Sequence, residues 1–440
     1  MTNKQRAPNL ESLMRRRIGD LPDGKAMQLI GTIIDMGGDE RSSAALDHAD
    51  GLLAQLAERG LPDRDVSRAH YFRANIWSAK RRASPDCSAW LWKSEHIDGE
   101  ILELRKALGH PGFAKFDPVE RAQIHTNLGN VLNHTGRFIE AIEYWDRALA
   151  SVPRFAMAWG NRGIGLGYYA GSLYDPGHHA VMMIAAFESM LPSISAGMDE
   201  GPGPPAVIRH FNLIKQEFCA ARYALYEGMN SAGVHFSDRG VLLYNTLDYP
   251  TLGFAVERMK MAFRGAYAVF DKVAFLLNDY LNLGIPDRQV NFRNLWFVKG
   301  KGKTLHPSLD GLANWPLRGL FWLSKDIHEE GVREVTEPDA RELYELRNHM
   351  EHKFVSVHDG FLRSMSPNSV EASESGIFDI SITDLITKTL RQLKLSRAAI
   401  IYLSLGIHVE EKRRFETRGS KMISVPMILP VWEDKWKRLD

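Results

Sequence analysis

The feature that most constrains the fold is a run of small and large apolar residues over residues 122–155. On either side of Thr135-Gly136 these residues recur at the three- and four-residue intervals of a helix, and Thr135-Gly136 itself has the composition of a turn. Gly129 and Ala141 are small enough to let two helices approach closely, and Trp145 is large enough to fill the space between them. The segment therefore predicts two packed helices joined by a short turn.

The spacing of this segment resembles a tetratricopeptide repeat, a helix-turn-helix unit of about 34 residues. His125 stands where such repeats usually carry Trp. Because each repeat buries its apolar face against its neighbours, one repeat implies an array of at least about three. The positions that match are Leu128, Gly129, Leu132, Ala141, Trp145, Ala148 and Pro153. Weaker helical pairs are expected at 26–36 with 42–59 and at 66–81 with 89–108, and a further unit begins at Trp159.

Three asparagines of the array, Asn127, Asn130 and Asn161, fall at positions that line the groove of such repeats. The resemblance implies that this groove binds a protein or peptide partner. Asn130 with Asn161 is similar to the asparagine pair of repeats that hold a C-terminal carboxylate. The lysines of that clamp are absent, and Thr126 occupies one of their positions. The identity of the partner is therefore left open.

A Gly- and Pro-rich stretch, Gly201-Pro202-Gly203-Pro204-Pro205, interrupts the helical pattern. We therefore expect one helical-repeat domain over residues 1–200 and a second helical domain over residues 206–440. In the second domain, residues 252–283 form a long apolar-periodic stretch. A last helix is expected to begin near Ser381, where Ser381 and Asp384 have the spacing of a capping box.

Within the second domain, Thr336-Glu337-Pro338-Asp339 has the composition of a helix start, with a capping hydroxyl and acids in the first turn. This helix is expected to run to about Val357. Its apolar residues fall on one face at about 100° per residue. They are Leu343, Leu346, Met350, Phe354 and Val357.

The same helix contains Arg347-Asn348-His349-Met350-Glu351-His352, an Arg followed by a polar residue, three further residues and a His. This pattern resembles the signature of the HEPN superfamily (higher eukaryotes and prokaryotes nucleotide-binding), many members of which are ribonucleases. The resemblance implies an all-α protein, with an N-terminal tetratricopeptide-like helical repeat array followed by a C-terminal HEPN-like helical bundle. Helix geometry separates Arg347 and His352 by about 140°, so one helix cannot easily grip one phosphate with both. A homodimer, in which two copies of the helix meet about a two-fold axis, could hold one phosphate between the two residue types.

The resemblance further implies a metal-independent endoribonuclease that needs no cofactor and cuts RNA, with tRNA as one candidate substrate, through attack of a ribose 2′-OH. The catalytic residues would be His352 as proton carrier, Arg347 as the cation that holds the phosphate, and Asn348 as an orienting amide. By the same resemblance, such combinations of repeats and nuclease belong to bacterial toxin or antiphage defence systems.

Other interpretations remain open at this point. Arg347 and His352 can simply lie on a solvated helix face without a catalytic role, with Arg347 paired to Glu351. A degenerate HEPN-like domain could dimerise or bind nucleotides in a non-catalytic scaffold protein. Glu345, His349 and His352 also fall on one side of the helix as a partial metal-ligand set, although no second carboxylate-His motif matches it.

Composition excludes several other classes. The formal net charge of the 440 residues is +1, which gives no whole-chain field for nucleic acid. The two cysteines, Cys87 and Cys219, have no metal-like spacing and argue against a disulfide framework or zinc site. No segment has the roughly 20 apolar residues of a membrane helix, and no signal-peptide core is present. We therefore expect a cytoplasmic protein that does not span a membrane.

Overall fold

The computed structural model describes residues 9–19, 21–85, 92–173, 206–245, 250–298, 300, 304–328, 338–359, 377–418 and 434–437. These residues are mostly helical, so the predicted all-α class is confirmed. The helices are α1 (Leu10–Met14), α2 (Asp23–Asp39), α3 (Ser43–Ala57), α4 (Asp63–Ala83), α5 (Glu95–Gly109), α6 (Pro118–His134), α7 (Phe138–Ser151), α8 (Ala156–Leu173), α9 (Ala206–Asn230), α10 (Phe254–Tyr280), α11 (Trp315–His328), α12 (Pro338–His352) and α13 (Ile382–Arg418). The described strands are β1 (Phe354–His358) and β2 (Ile377–Ser381), which pair with each other.

The helices α6 and α7 form the predicted helix-turn-helix unit. Asp117 and Glu120 form a capping box at the start of α6, and Gly136 makes the turn with a φ of +90°. Gly129 packs directly against the ring of Trp145, as its size predicts. The apolar positions of the pattern are buried, namely Leu128, Leu132, Ala141, Trp145 and Ala148. The weaker pairs predicted upstream are present as α2 with α3 and α4 with α5. Their identity as tetratricopeptide repeats stays a prediction.

Two compact units divide the described residues. The first unit contains the described residues up to Gly171, from Asp310 to Ser356, and from 377 to 380. The helices α11 and α12 therefore share a unit with the repeat-like helices. The second takes those between Ser172 and Leu309, residues 357–359, and those from Ser381 onward. These units do not coincide with the predicted domains 1–200 and 206–440. The predicted junction at 201–205 lies outside the described residues, and the division stays a prediction.

In the second unit, α9, α10 and α13 pack against one another. The predicted cap of α13 is confirmed, because the Ser381 hydroxyl accepts a hydrogen bond of 3.0 Å from the Asp384 backbone N–H. The Ser396 hydroxyl of α13 donates to the backbone oxygen of Ala266 on α10 at 2.6 Å. This buried polar contact fixes the register of the two helices.

The motif helix was predicted to run to about Val357, and this prediction is wrong. The helix α12 ends at His352, and the chain continues as β1, where Phe354 is 72% exposed and Val357 is buried. Successive side chains of a strand point to opposite faces, so Phe354 and Val357 do not share the apolar face of the helix. The backbone N–H of Thr251 donates to the oxygen of Val357 at 2.6 Å, which supports β1 on its other edge. The predicted start at Thr336-Glu337 lies outside the described residues.

None of the helices that the structure describes is both long enough and apolar enough to cross a membrane.

Candidate functional site

The helix α12 positions the candidate catalytic residues through its apolar face. Leu343, Leu346 and Met350 are buried, which confirms these three positions of the predicted apolar face. Because the helix is anchored on this face, residues about half a turn away are directed outward. Asn348 and His352 occupy such positions.

Arg347 is half-buried on the flank of α12. Its Nη1 donates a hydrogen bond of 3.1 Å to Oδ1 of Asn348. The amide oxygen of Asn348 thus helps to orient the guanidinium group. The structure thus brings together Arg347 and Asn348, two of the three predicted catalytic residues.

His352 is the last residue of α12, and its side chain is exposed, as are those of Lys353 and Phe354 after it. An exposed imidazole is within reach of a macromolecular substrate. Helix geometry separates His352 from Arg347 by about 140°, so the two side chains diverge within one protomer.

His349 is a site residue that the sequence reasoning did not assign to catalysis. It is 8% exposed, its ring lies 5.2 Å from that of Phe378, and its Nδ1 lies 2.8 Å from the backbone oxygen of Glu345. A carbonyl oxygen only accepts, so Nδ1 is the donor in this contact. Among the described residues Nε2 has no hydrogen-bond partner. The signal in the sequence is its position beside Leu346 and Met350, at the edge of the apolar face.

The same geometry counts against the metal alternative. His349 is buried whereas His352 is exposed, so the two imidazoles do not face one common site. In the part of the chain that the structure describes, no group of three His, Cys, Asp or Glu side chains could hold a metal ion.

The asparagines predicted to line the repeat groove have other hydrogen-bond partners. The amide of Asn127 donates to the Tyr71 hydroxyl at 3.2 Å and to Oδ1 of Asn75 at 3.3 Å, which links α6 to α4. Oδ1 of Asn130 accepts from Nε1 of Trp145 at 3.0 Å. Asn161 lies half-buried on α8. Asn127 and Asn130 therefore hold the array together, and partner binding by these residues stays a prediction.

No curated protein and no solved structure was found to match the chain. One family model does match, and its match includes Arg347, Asn348 and His352. Residues 198–410 match the model described as LA2681-like HEPN, which supports the HEPN superfamily for this part of the chain.

Proposed function

We propose that this protein is a metal-independent endoribonuclease of HEPN type. The observation that carries the proposal is the Arg-polar-x3-His pattern at Arg347, Asn348 and His352, on an anchored helix inside the residues that match the family model. The hydrogen bond from Arg347 to Asn348 supports it further, because that bond helps to orient the guanidinium group.

The reaction requires no group beyond these side chains and the RNA. The 2′-oxygen attacks the adjacent phosphorus while the bond from phosphorus to the 5′-oxygen breaks. The 2′-OH loses its proton and the departing 5′-oxygen gains one. The products are a 2′,3′-cyclic phosphate and a free 5′-OH.

His352 is the proton carrier in this scheme, a role worth roughly 10²–10⁴-fold in rate. Arg347 stabilises the charge that develops on the phosphate oxygens, and Asn348 keeps its guanidinium in place. DNA lacks the attacking hydroxyl, so it is not a substrate.

A homodimer completes the proposed site. Because Arg347 and His352 diverge by about 140° on one helix, the phosphate is held between residues from two copies. An isologous contact about a two-fold axis would bring both copies of the motif to one groove. The repeat-like helices would bind a protein or peptide partner, and the assembly would act as a toxin or antiphage defence effector in the cytoplasm.

The test is incubation of the full-length protein with tRNA and total RNA in excess EDTA. Arg347→Ala and His352→Ala should each lower cleavage by roughly 10²-fold or more. Lys353→Ala is the matched control, because it removes an exposed cation next to His352 without touching the motif. Cleavage that survives both motif substitutions would reject the site. If Lys353→Ala lowers cleavage as much as the motif substitutions do, the loss reflects weaker electrostatic binding of RNA rather than a specific role of the motif.

The rival is a non-catalytic scaffold with a degenerate HEPN-like domain that dimerises or binds nucleotides. It predicts no cleavage by the wild type, even with the partner of the repeat-like helices added. Nucleotide binding that is unchanged in His352→Ala would favour this rival. The 3′ ends of any products separate enzymatic cleavage from a contaminant, because the proposed chemistry leaves a cyclic phosphate there.

A further inference from the structure

The helix α11 precedes the motif helix in the chain, belongs to the same unit and is buried over most of its length. It contacts the turn between α6 and α7 main chain to main chain. A Cβ placed on Gly136 would lie 2.2 Å from the backbone oxygen of Trp315, and one placed on Gly319 would lie 2.5 Å from the oxygen of Gly136. Backbone atoms cannot move aside as a flexible side chain can, so both positions require glycine.

Two side chains of α11 complete the C-terminal end of α6. The indole Nε1 of Trp315 donates to the backbone oxygen of Asn133 at 2.9 Å, and Nη2 of Arg318 donates to the backbone oxygen of His134. The last carbonyl groups of a helix have no partner within that helix. Residues about 180 positions away in sequence therefore add capping groups to the end of α6.

A buried ion cluster joins the C-terminal end of α11 to α5 and to the start of α7. Asp326 accepts two hydrogen bonds from Arg105 on α5, at 2.9 and 2.8 Å, and a further bond from Arg137 at the start of α7. Arg137 also binds Glu140. All four side chains are buried, and their charges balance. Burial by itself would raise the pKa of Asp326, but Arg105 and Arg137 hold it below its usual range.

The helix α11 also contacts α12 within this unit. The ring of His328, the last residue of α11, lies edge-on to that of Tyr344 with centroids 6.4 Å apart. Tyr344 precedes Arg347 by about one helical turn, so the position of the motif depends on where α11 ends.

We infer that α11 couples the repeat-like helices to the motif helix, with Asp326, Arg105 and Arg137 as positioning residues for Arg347. This regulation rests on the proposed function, but the coupling itself can be measured without cleavage. A partner that displaces the α6–α7 turn would move α11 and, with it, α12. The repeat-like helices and the motif helix thus act as one mechanical body rather than as a tethered sensor and effector.

The test is hydrogen–deuterium exchange on full-length Asp326→Asn. Loss of one partner leaves an uncompensated charge in the buried ion cluster, so exchange in α12 peptides should rise roughly tenfold or more. Exchange in α10, which belongs to the other unit, should stay at the wild-type level. Glu100→Gln is the matched control, since Glu100 is also a buried acid bound to an arginine, Arg81, but that arginine lies on α4. It should leave α12 unchanged.

Faster exchange in α11 with no change in α12 would overturn the inference. If Asp326→Asn fails to fold, Trp315→Phe decides, because it removes one hydrogen bond and keeps the ring stacked on Phe138. That variant should raise exchange in α12 several-fold, and an unchanged α12 would again overturn the coupling. If the wild type cuts no RNA but the variants show the expected changes in exchange, the proposed function is refuted and the coupling stands.

Discussion

The contact between Gly129 and Trp145 allows a quantitative test of how closely α6 and α7 pack. A Cβ on Gly129 would lie 2.6 Å from Nε1 and 2.8 Å from Cδ1 of Trp145, closer than real Cβ contacts allow. Trp145 is 1% exposed and its Nε1 is bonded to Asn130, so the ring has no free space to enter. In Gly129→Ala either the ring or the helix must therefore move.

The expected change in the free energy of unfolding combines three effects. Ala is favoured over Gly in a helix by about 1 kcal/mol. Overpacking costs about 1–3 kcal/mol, and loss of the Trp145–Asn130 hydrogen bond costs about 1 kcal/mol more. The net expectation is a destabilisation of about 1–3 kcal/mol. Gly163→Ala on α8 is the control, since a Cβ there meets nothing within 4 Å. It should stabilise the helix by up to about 1 kcal/mol.

The assay is hydrogen–deuterium exchange of α6 and α7 peptides in the full-length protein, with urea unfolding alongside it. Local exchange is preferred because a chain of this length need not unfold in a single transition. Exchange in α6 and α7 should rise roughly five- to a hundredfold in Gly129→Ala. If Gly129→Ala slows exchange there, as Gly163→Ala should in α8, the two helices are not in the close contact described and the reasoning fails.

Two further predictions concern titration and a buried hydroxyl. Burial, followed by nearby arginines, lowers the pKa of His125 and of His134 to about 4. The unfolded chain, with pKa values near 6.5, therefore takes up these protons first, and each His should cost about 3 kcal/mol of stability between about pH 6.5 and pH 4. Urea midpoints across that range should fall less in His134→Gln than in the wild type, and parallel curves would contradict the assignment. The Tyr280 hydroxyl donates to Glu411 at 2.6 Å, and burial together with this bond raises the pKa of Tyr280. Tyr280→Phe should therefore lose about 1–3 kcal/mol, seen as faster exchange where α10 meets α13, and unchanged exchange there would show that the bond adds nothing.

Much of the helical architecture follows from local pattern. The turn at Gly136 and the cap at Ser381 arise from contacts between residues a few positions apart, and the buried positions Leu346 and Met350 follow the helical spacing of apolar residues. The end of the motif helix did not follow, because Phe354 also matches the helical period. Pairing of β1 with β2, a contact that periodicity does not encode, decides that the chain leaves the helix after His352.

The sequence by itself determined the helical class, the helix pairs and the Arg347–His352 motif, because each depends on spacing within one or two helical turns. Only the tertiary structure decided that α11 and α12 share a unit with the repeat-like helices. Asp326 meets partners that are 221 and 189 positions away, and in sequence an isolated Asp on a helix is indistinguishable from one on a solvated face. Burial turns these charges into a specific contact, since an ion removed from water is stable only where its partners are already in place.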